Sequence, residues 1–158
     1  MSPASLADLE WLYRTSSLRF VRVALAITRD RDAASEAVQE AFTKAIRARG
    51  GFRGEGSLEA WLWSGVVNEA KRLVVRARPG PLEGEEEITN GSPDDDEAIR
   101  ALIAALPERQ RLAVFLRYYA DLDYQTIAQV LGLEAGTVSA TLHAAHRSLR
   151  ASIEGVTS

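Results

Sequence analysis

The sequence predicts an all-α chain of two small helical domains joined by a flexible acidic linker. Three observations carry that reading. Apolar residues recur at three- and four-residue spacing in segment after segment, as amphipathic helices require. Charge is partitioned: residues 1–78 carry a net +4, residues 79–97 a net -8 with no basic residue, and residues 98–158 a net +1. The stretch RPGPLEGEEEITNGSPDDDE, residues 78–97, combines three prolines, three glycines and an acidic run with little to bury. A length of 158 residues suits domains at 1–78 and 98–158 around a tether at 79–97.

Composition narrows the function classes. A hydrophobic content of 46% excludes a wholly disordered chain, and no apolar run approaches the roughly 20 residues needed to span a bilayer. Residues 1–9 lack the basic start and apolar core of a secretory signal, so a cytoplasmic protein without membrane insertion is expected. There is no cysteine, and His143 and His146 alone make a poor zinc site, so neither metal nor cofactor is expected. Glu85, Glu86 and Glu87 are adjacent in a segment that pre-organises nothing. Without a nucleotide-binding glycine loop or a nucleophile and base pair, no catalytic residue is assigned and the chain is not read as an enzyme.

The elements follow in order. Residues 6–28 place Leu9, Leu12, Tyr13, Phe20, Val21, Ala24, Leu25 and Ile27 at helical spacing, interrupted by Thr15-Ser16-Ser17, which predicts one or two core helices. Residues 32–48 are rich in helix formers, with Val38, Phe42, Ala45 and Ile46 on one side. Glu36, Gln39, Glu40, Thr43 and Arg47 are left outward, by pattern alone a solvated face. Glycines at 50, 51, 54 and 56 forbid a continuous helix, so Phe52 and Arg53 fall in a loop before a helix that starts near Ser57. On that helix Trp61 is expected in the core and Trp63 partly exposed, while Asn68, Lys71 and Arg72 share one flank. Phe52 is either a plug packing the loop or a stacking platform.

After the tether, Pro107 opens a helix whose Leu112, Phe115, Leu116 and Tyr119 form a core stripe, leaving Arg109, Arg111 and Arg117 available. Residues 124–150 read as a helix-turn-helix. Ile127, Val130 and Leu131 pattern a short helix, Gly132 breaks it, and Val138, Leu142, Ala145 and Leu149 form the buried stripe of a second. Gly136, Ala140, His143, Ala144 and Arg147 face the other way, flanked by Thr137 and Ser139, on the surface that would enter a major groove.

Fixed offsets then point to a family. Leu106-Pro107-Glu108-Arg109-Gln110-Arg111, Leu116-Arg117-Tyr118, Tyr124, Ile127-Ala128, Leu131-Gly132 and Gly136-Thr137-Val138 resemble the promoter-binding C-terminal domain of bacterial sigma factors, particularly the extracytoplasmic-function group. Asp32-Ala33-Ala34, Val38-Gln39-Glu40-Ala41-Phe42 and Lys44-Ala45 resemble that family's polymerase-gripping helix. Phe52-Arg53-Gly54, Trp61-Leu62, Val67-Asn68 and Ala70-Lys71 resemble its promoter-melting region.

The resemblance implies a sigma factor with core RNA polymerase and promoter DNA as partners, and an anti-sigma factor as a further one. It implies core contact through Glu36, Gln39, Glu40, Thr43 and Arg47, and minus-ten recognition through Phe52, Arg53, Trp63, Asn68, Lys71 and Arg72. Minus-35 recognition would fall to Arg109, Arg111, Arg117, Thr137, Ser139, Ala140, His143, Ala144 and Arg147, the arginines touching phosphates. Ala37 stands where the family commonly has leucine, and Arg72 where some members have aspartate. Ser139, Thr141, Ala144 and His146 occupy positions that often carry Lys or Arg, so the recognition helix is short of charge and weak minus-35 binding is expected. Two alternatives remain: a dimeric helix-turn-helix regulator, and a sigma-like interaction protein that titrates an anti-sigma factor.

Overall fold

The computed structural model describes residues 5–52, 57–77 and 93–157; among them seven α-helices and one short 3-10 turn follow in order, with no strand. Helix α1, Leu6–Thr28, opens on a capping box: Ser5 Oγ accepts from Asp8 N at 3.1 Å and the Asp8 carboxylate accepts from Ser5 N at 3.3 Å. It runs unbroken through Thr15-Ser16-Ser17. Thr15 Oγ1 donates to Trp11 O on the turn before, and buried Ser16 accepts from Arg19 Nη2 at 2.8 Å, so these polar side chains are satisfied inside the helix. Arg29, at φ 58°, ends it by donating to Leu25 O.

Helix α2, Arg31–Ala48, is capped by Asp30 and buries a seam of Ala34, Ala37, Val38, Ala41, Phe42 and Ala45. Ile46, expected on the same side, is partly exposed, as is Tyr13 of α1. The 3-10 turn Arg49–Gly51 leads to Phe52. Helix α3, Leu58–Ala77, then starts on Ser57, whose hydroxyl accepts from Ala60 N at 3.0 Å. Phe20, Phe42 and Trp63 form the centre of this three-helix unit, with ring centroids 5.4 Å apart for the two phenylalanines and 4.2 Å for Phe20 and Trp63.

Residues 78–92, most of the expected tether, lie outside the described residues. Helix α4, Pro93–Ala104, begins inside the stretch read as linker. Proline suits the first helical position, where a backbone N–H would have no partner within the helix. Helices α5, Glu108–Tyr118, α6, Tyr124–Leu131, and α7, Ala135–Thr157, close a second core around Leu116, Ile127, Val138, Leu142 and Ala145. Pro107 caps α5 from outside rather than occupying its first turn. Gly132, at φ 68°, supplies the left-handed residue between α6 and the α7 approach.

The two units touch, α6 lying on α3 and α5 on α1. Arg19 supplies one polar link: Nη1 donates to Ala120 O at 2.7 Å, while Nη2 lies 3.6 Å from Glu59 Oε1 of its own unit. Ser57 N donates to Gln129 Oε1 at 3.4 Å, and Lys71 Nζ lies 3.3 Å from Glu108 Oε1.

The cap of α6 gives a first prediction. Asp123 Oδ1 accepts from Thr126 N at 2.8 Å, and hydrogen bonds from the Thr126 hydroxyl and backbone hold its carboxyl below the usual aspartate range. Asp123→Ala should cost about 1 kcal/mol in urea unfolding of the full chain, and Asp123→Asn should retain most of that stability. Equal losses in both variants would show that the cap is not what position 123 contributes.

Candidate nucleic-acid interface

Packing of α2 on α1 and α3 decides which of its residues remain outside. With the alanine seam buried, Glu36, Gln39 and Arg47 are exposed and Glu40 and Thr43 half-buried, so the expected core-contact residues share one polar face. Thr43 Oγ1 donates to Gln39 O at 2.8 Å, within the helix.

Beside this face an acid crosses the α2 and α3 seam. Glu69 lies only 6% exposed, among buried Val66, Ala70 and Leu73. Its Oε1 accepts from Lys44 Nζ of α2; its Oε2 accepts from Arg72 Nε at 3.0 Å and Nη2 at 2.8 Å. Burial opposes ionisation, yet the hydrogen bonds from Lys44 and Arg72, with the charge of both cations, hold the carboxyl below its ordinary value. The sequence marks Lys44 only as part of the family resemblance and does not mark Glu69. A charged residue inside an apolar stripe, one turn before an arginine, was the available signal.

The expected minus-ten residues are only partly brought together. Asn68 and Arg72 are exposed and Lys71 half-buried on one flank of α3. Arg53 lies outside the described residues. Trp63 must be corrected: it is 0% exposed, its ring is against Phe20, and its Nε1 donates to Glu59 Oε1 at 3.4 Å, so it cannot contact a strand. Trp61 is the half-buried one. Its ring lies 5.3 Å from that of half-buried Phe52, which gives the loop aromatic a packing partner while leaving part of it accessible.

In the second unit, the α7 face opposite Val138 and Leu142 carries exposed Gly136, Thr137, Ser139, Ala140, His143 and Arg147, with Ala144 half-buried. A groove between α7 and the start of α5 is lined by Pro107, Arg109, Gln110, Thr137, Ala140, Thr141 and Ala144. Arg109 is exposed there. Arg111 and Arg117 were expected to be available for phosphates, and the structure uses both internally. Arg111 Nη1 donates to Ala104 O at 3.2 Å and Leu106 O at 3.3 Å, closing the end of α4; Arg117 Nη1 donates to Leu122 O at 3.0 Å and its guanidinium lies 5.6 Å from the Tyr124 ring centre. His146 braces α7 on α5 through Tyr118, at 2.7 Å.

Comparison with known proteins places these two units in one context. Residues 12–79 match the family model described as Sigma-70 region 2, and residues 96–149 match that described as Sigma-70, region 4. The chain is 34% identical to the RNA polymerase sigma-H factor of Pseudomonas aeruginosa, over 76% of this chain and 72% of the relative. It is also 34% identical to the ECF RNA polymerase sigma-E factor of Escherichia coli strain K12, over 72% of this chain and 70% of the relative. Among solved structures, CnrH in complex with the cytosolic domain of CnrY aligns over 96% of this chain and 91% of its own, with TM-score 0.76 and 18% identity. The sigma factor RpoE in complex with the anti-sigma factor NepR from Bartonella quintana aligns over 94% and 98%, with TM-score 0.76 and 19% identity.

Two expected outcomes follow from the geometry. Trp63→Ala should destabilise the chain by about 3 to 5 kcal/mol, whereas Trp61→Ala, at a half-exposed ring, should cost clearly less; comparable losses in chemical denaturation would contradict the exchange of roles. For Glu69 the folded-state value lies below the ordinary 4.5, so its stabilisation is complete above that pH and is lost as pH falls through the depressed value. Glu69→Gln should therefore reduce the acid-side decline of stability, and an unaltered decline would show that the folded state does not favour the ionised carboxylate.

Proposed function

This chain belongs to the sigma-70 family, within its extracytoplasmic-function group, and we propose that it directs promoter-specific initiation by dividing the work between its two helical units. The observation that carries the proposal is the presence, on one chain, of matches to both region 2 and region 4. A simple helix-turn-helix regulator would need only the second.

In this reading residues 1–78 bind core RNA polymerase through Glu36, Gln39, Glu40, Thr43 and Arg47 on the outer face of α2. The same unit opens the minus-ten element with Phe52, Arg53, Asn68, Lys71 and Arg72; Phe52 and Asn68 hold an unpaired base, as flipped bases are held elsewhere by stacking and polar edge contacts. The second unit, from α4 onward, docks α7 on the minus-35 element through Arg109, Thr137, Ser139, Ala140, His143, Ala144 and Arg147. Arg111 and Arg117 support the fold of that unit. An anti-sigma factor is a further partner, supported by the overall fold shared with a sigma factor solved in such a complex. The site of action is the cytoplasm; among the described residues no helix is long and apolar enough to cross a membrane.

The test is reconstitution. Purified protein added to core polymerase should confer specific transcription, and Gln39→Ala combined with Arg47→Glu should weaken core binding without unfolding the second unit. Tight binding to palindromic DNA as a homodimer, with no core association, would establish the regulator reading instead. Binding to an anti-sigma factor with no transcription would favour titration. Separately, Ala144→Arg should strengthen duplex binding across sequences and steepen its salt dependence by about 0.9 per added phosphate contact. Unchanged affinity would move position 144 off the DNA.

A further inference from the structure

We propose that Lys44, Glu69 and Arg72 form a phosphodiester cradle at the seam of α2 and α3, in which the buried carboxylate positions two cations for the backbone of an unpaired DNA strand. The cradle rests on the promoter-opening role proposed for α3. It adds a binding residue on α2, Lys44, and a positioning residue, Glu69.

Glu69 occupies a place in the α3 stripe where an apolar side chain would avoid the cost of removing a charge from water. Buried ion pairs contribute little stability against such replacements, so stability alone does not account for an acid there. Its two oxygens are divided between the cations, Oε1 to Lys44 and Oε2 to Arg72. The acid side chain is 8% exposed, whereas those of Lys44 and Arg72 are 55% and 41% exposed. The anion is therefore shielded beneath and the cations face solvent, leaving one net positive charge at the surface.

Donors remain on both cations. An ammonium has three N–H groups and a guanidinium five, and Glu69 takes one and two of them respectively. Holding these two long side chains in place before binding reduces the freedom lost when a phosphate arrives. Exposed Asn68 lies one turn before exposed Arg72 on α3, so a strand whose base is held at Asn68 would carry its backbone near this pair.

A double-mutant cycle tests the idea. Full-length protein, saturated with core polymerase, is titrated with a fluorescent single strand carrying the minus-ten sequence of a promoter mapped by transcription with this factor, and core affinity is measured separately. Lys44→Ala and Arg72→Ala should each weaken strand binding about three- to ten-fold and lower the salt slope by about 0.7, the value for one single-strand phosphate contact. In a Glu69→Gln background the Arg72→Ala penalty should shrink by at least about three-fold, because the unheld arginine no longer makes its contact. An equal penalty in both backgrounds would make Glu69 purely structural, and a larger one would mean that the carboxylate withholds Arg72 from DNA; either overturns the positioning role. Lys44→Ala needs no change at 69, so unaltered affinity and slope there overturn the cradle even if Glu69→Gln fails to fold. A parent protein that holds core polymerase but not the strand would overturn the promoter-opening reading itself, and the cradle with it.

Discussion

Close approach of α2 to its two neighbours is the constraint on which the first unit depends. Ala34, Ala37, Ala41 and Ala45 present a face with almost no side-chain bulk, and Gly65 of α3 meets it where an added Cβ would lie 3.7 Å from Ala41 Cβ. Large rings fill what the small residues leave: Phe20 and Trp63 are wholly buried and Phe42 nearly so. With its small face turned inward, α2 presents a continuous polar face outward. Ala37, where the resemblance led to an expectation of leucine, is wholly buried in that same small face.

Periodicity was sufficient wherever one face of a helix meets a core and the other meets water. It gave the helix-turn-helix and the stripes of α2, α5 and α7, because Val38, Phe42, Leu116, Val138 and Leu142 have no other place to go. It failed at Trp61 and Trp63, both near the boundary of the buried sector, where the choice depends on a tertiary fact: Phe20 is positioned to receive one ring and Glu59 to accept its N–H. It left open whether residues 6–28 form one helix or two, since a polar triplet at Thr15-Ser16-Ser17 reads as a boundary until Arg19 supplies Ser16 with a partner.

Charge misled in both directions. The acidic stretch after Pro93 reads as a solvated tether by its charge, yet the backbone there is helical from Pro93 onward. Arg111 and Arg117 read as available because arginine usually is, yet the carbonyls of Leu106 and Leu122 emerge within reach only after the chain folds back. The outward residues of α2 and α7 were legible as faces. What those faces bind came from resemblance, since polar surface alone does not name its partner.

The contact between α3 and α6 has a mechanical consequence. Packed helices have axes about 8 to 10 Å apart. Promoter elements centred near positions -10 and -35 are about 25 base pairs apart, roughly 85 Å along straight B-form DNA. Fifteen residues join α3 to α4, a length that spans at most about 50 Å when fully extended. Placing the two units on the minus-ten and minus-35 elements at once, as proposed, would require Arg19 to release Ala120, Gln129 to release Ser57 and Glu108 to release Lys71. The linker fixes the largest stride available once that clasp is undone, and the bodies of the two units, together with any bend in the DNA, must make up the remaining distance.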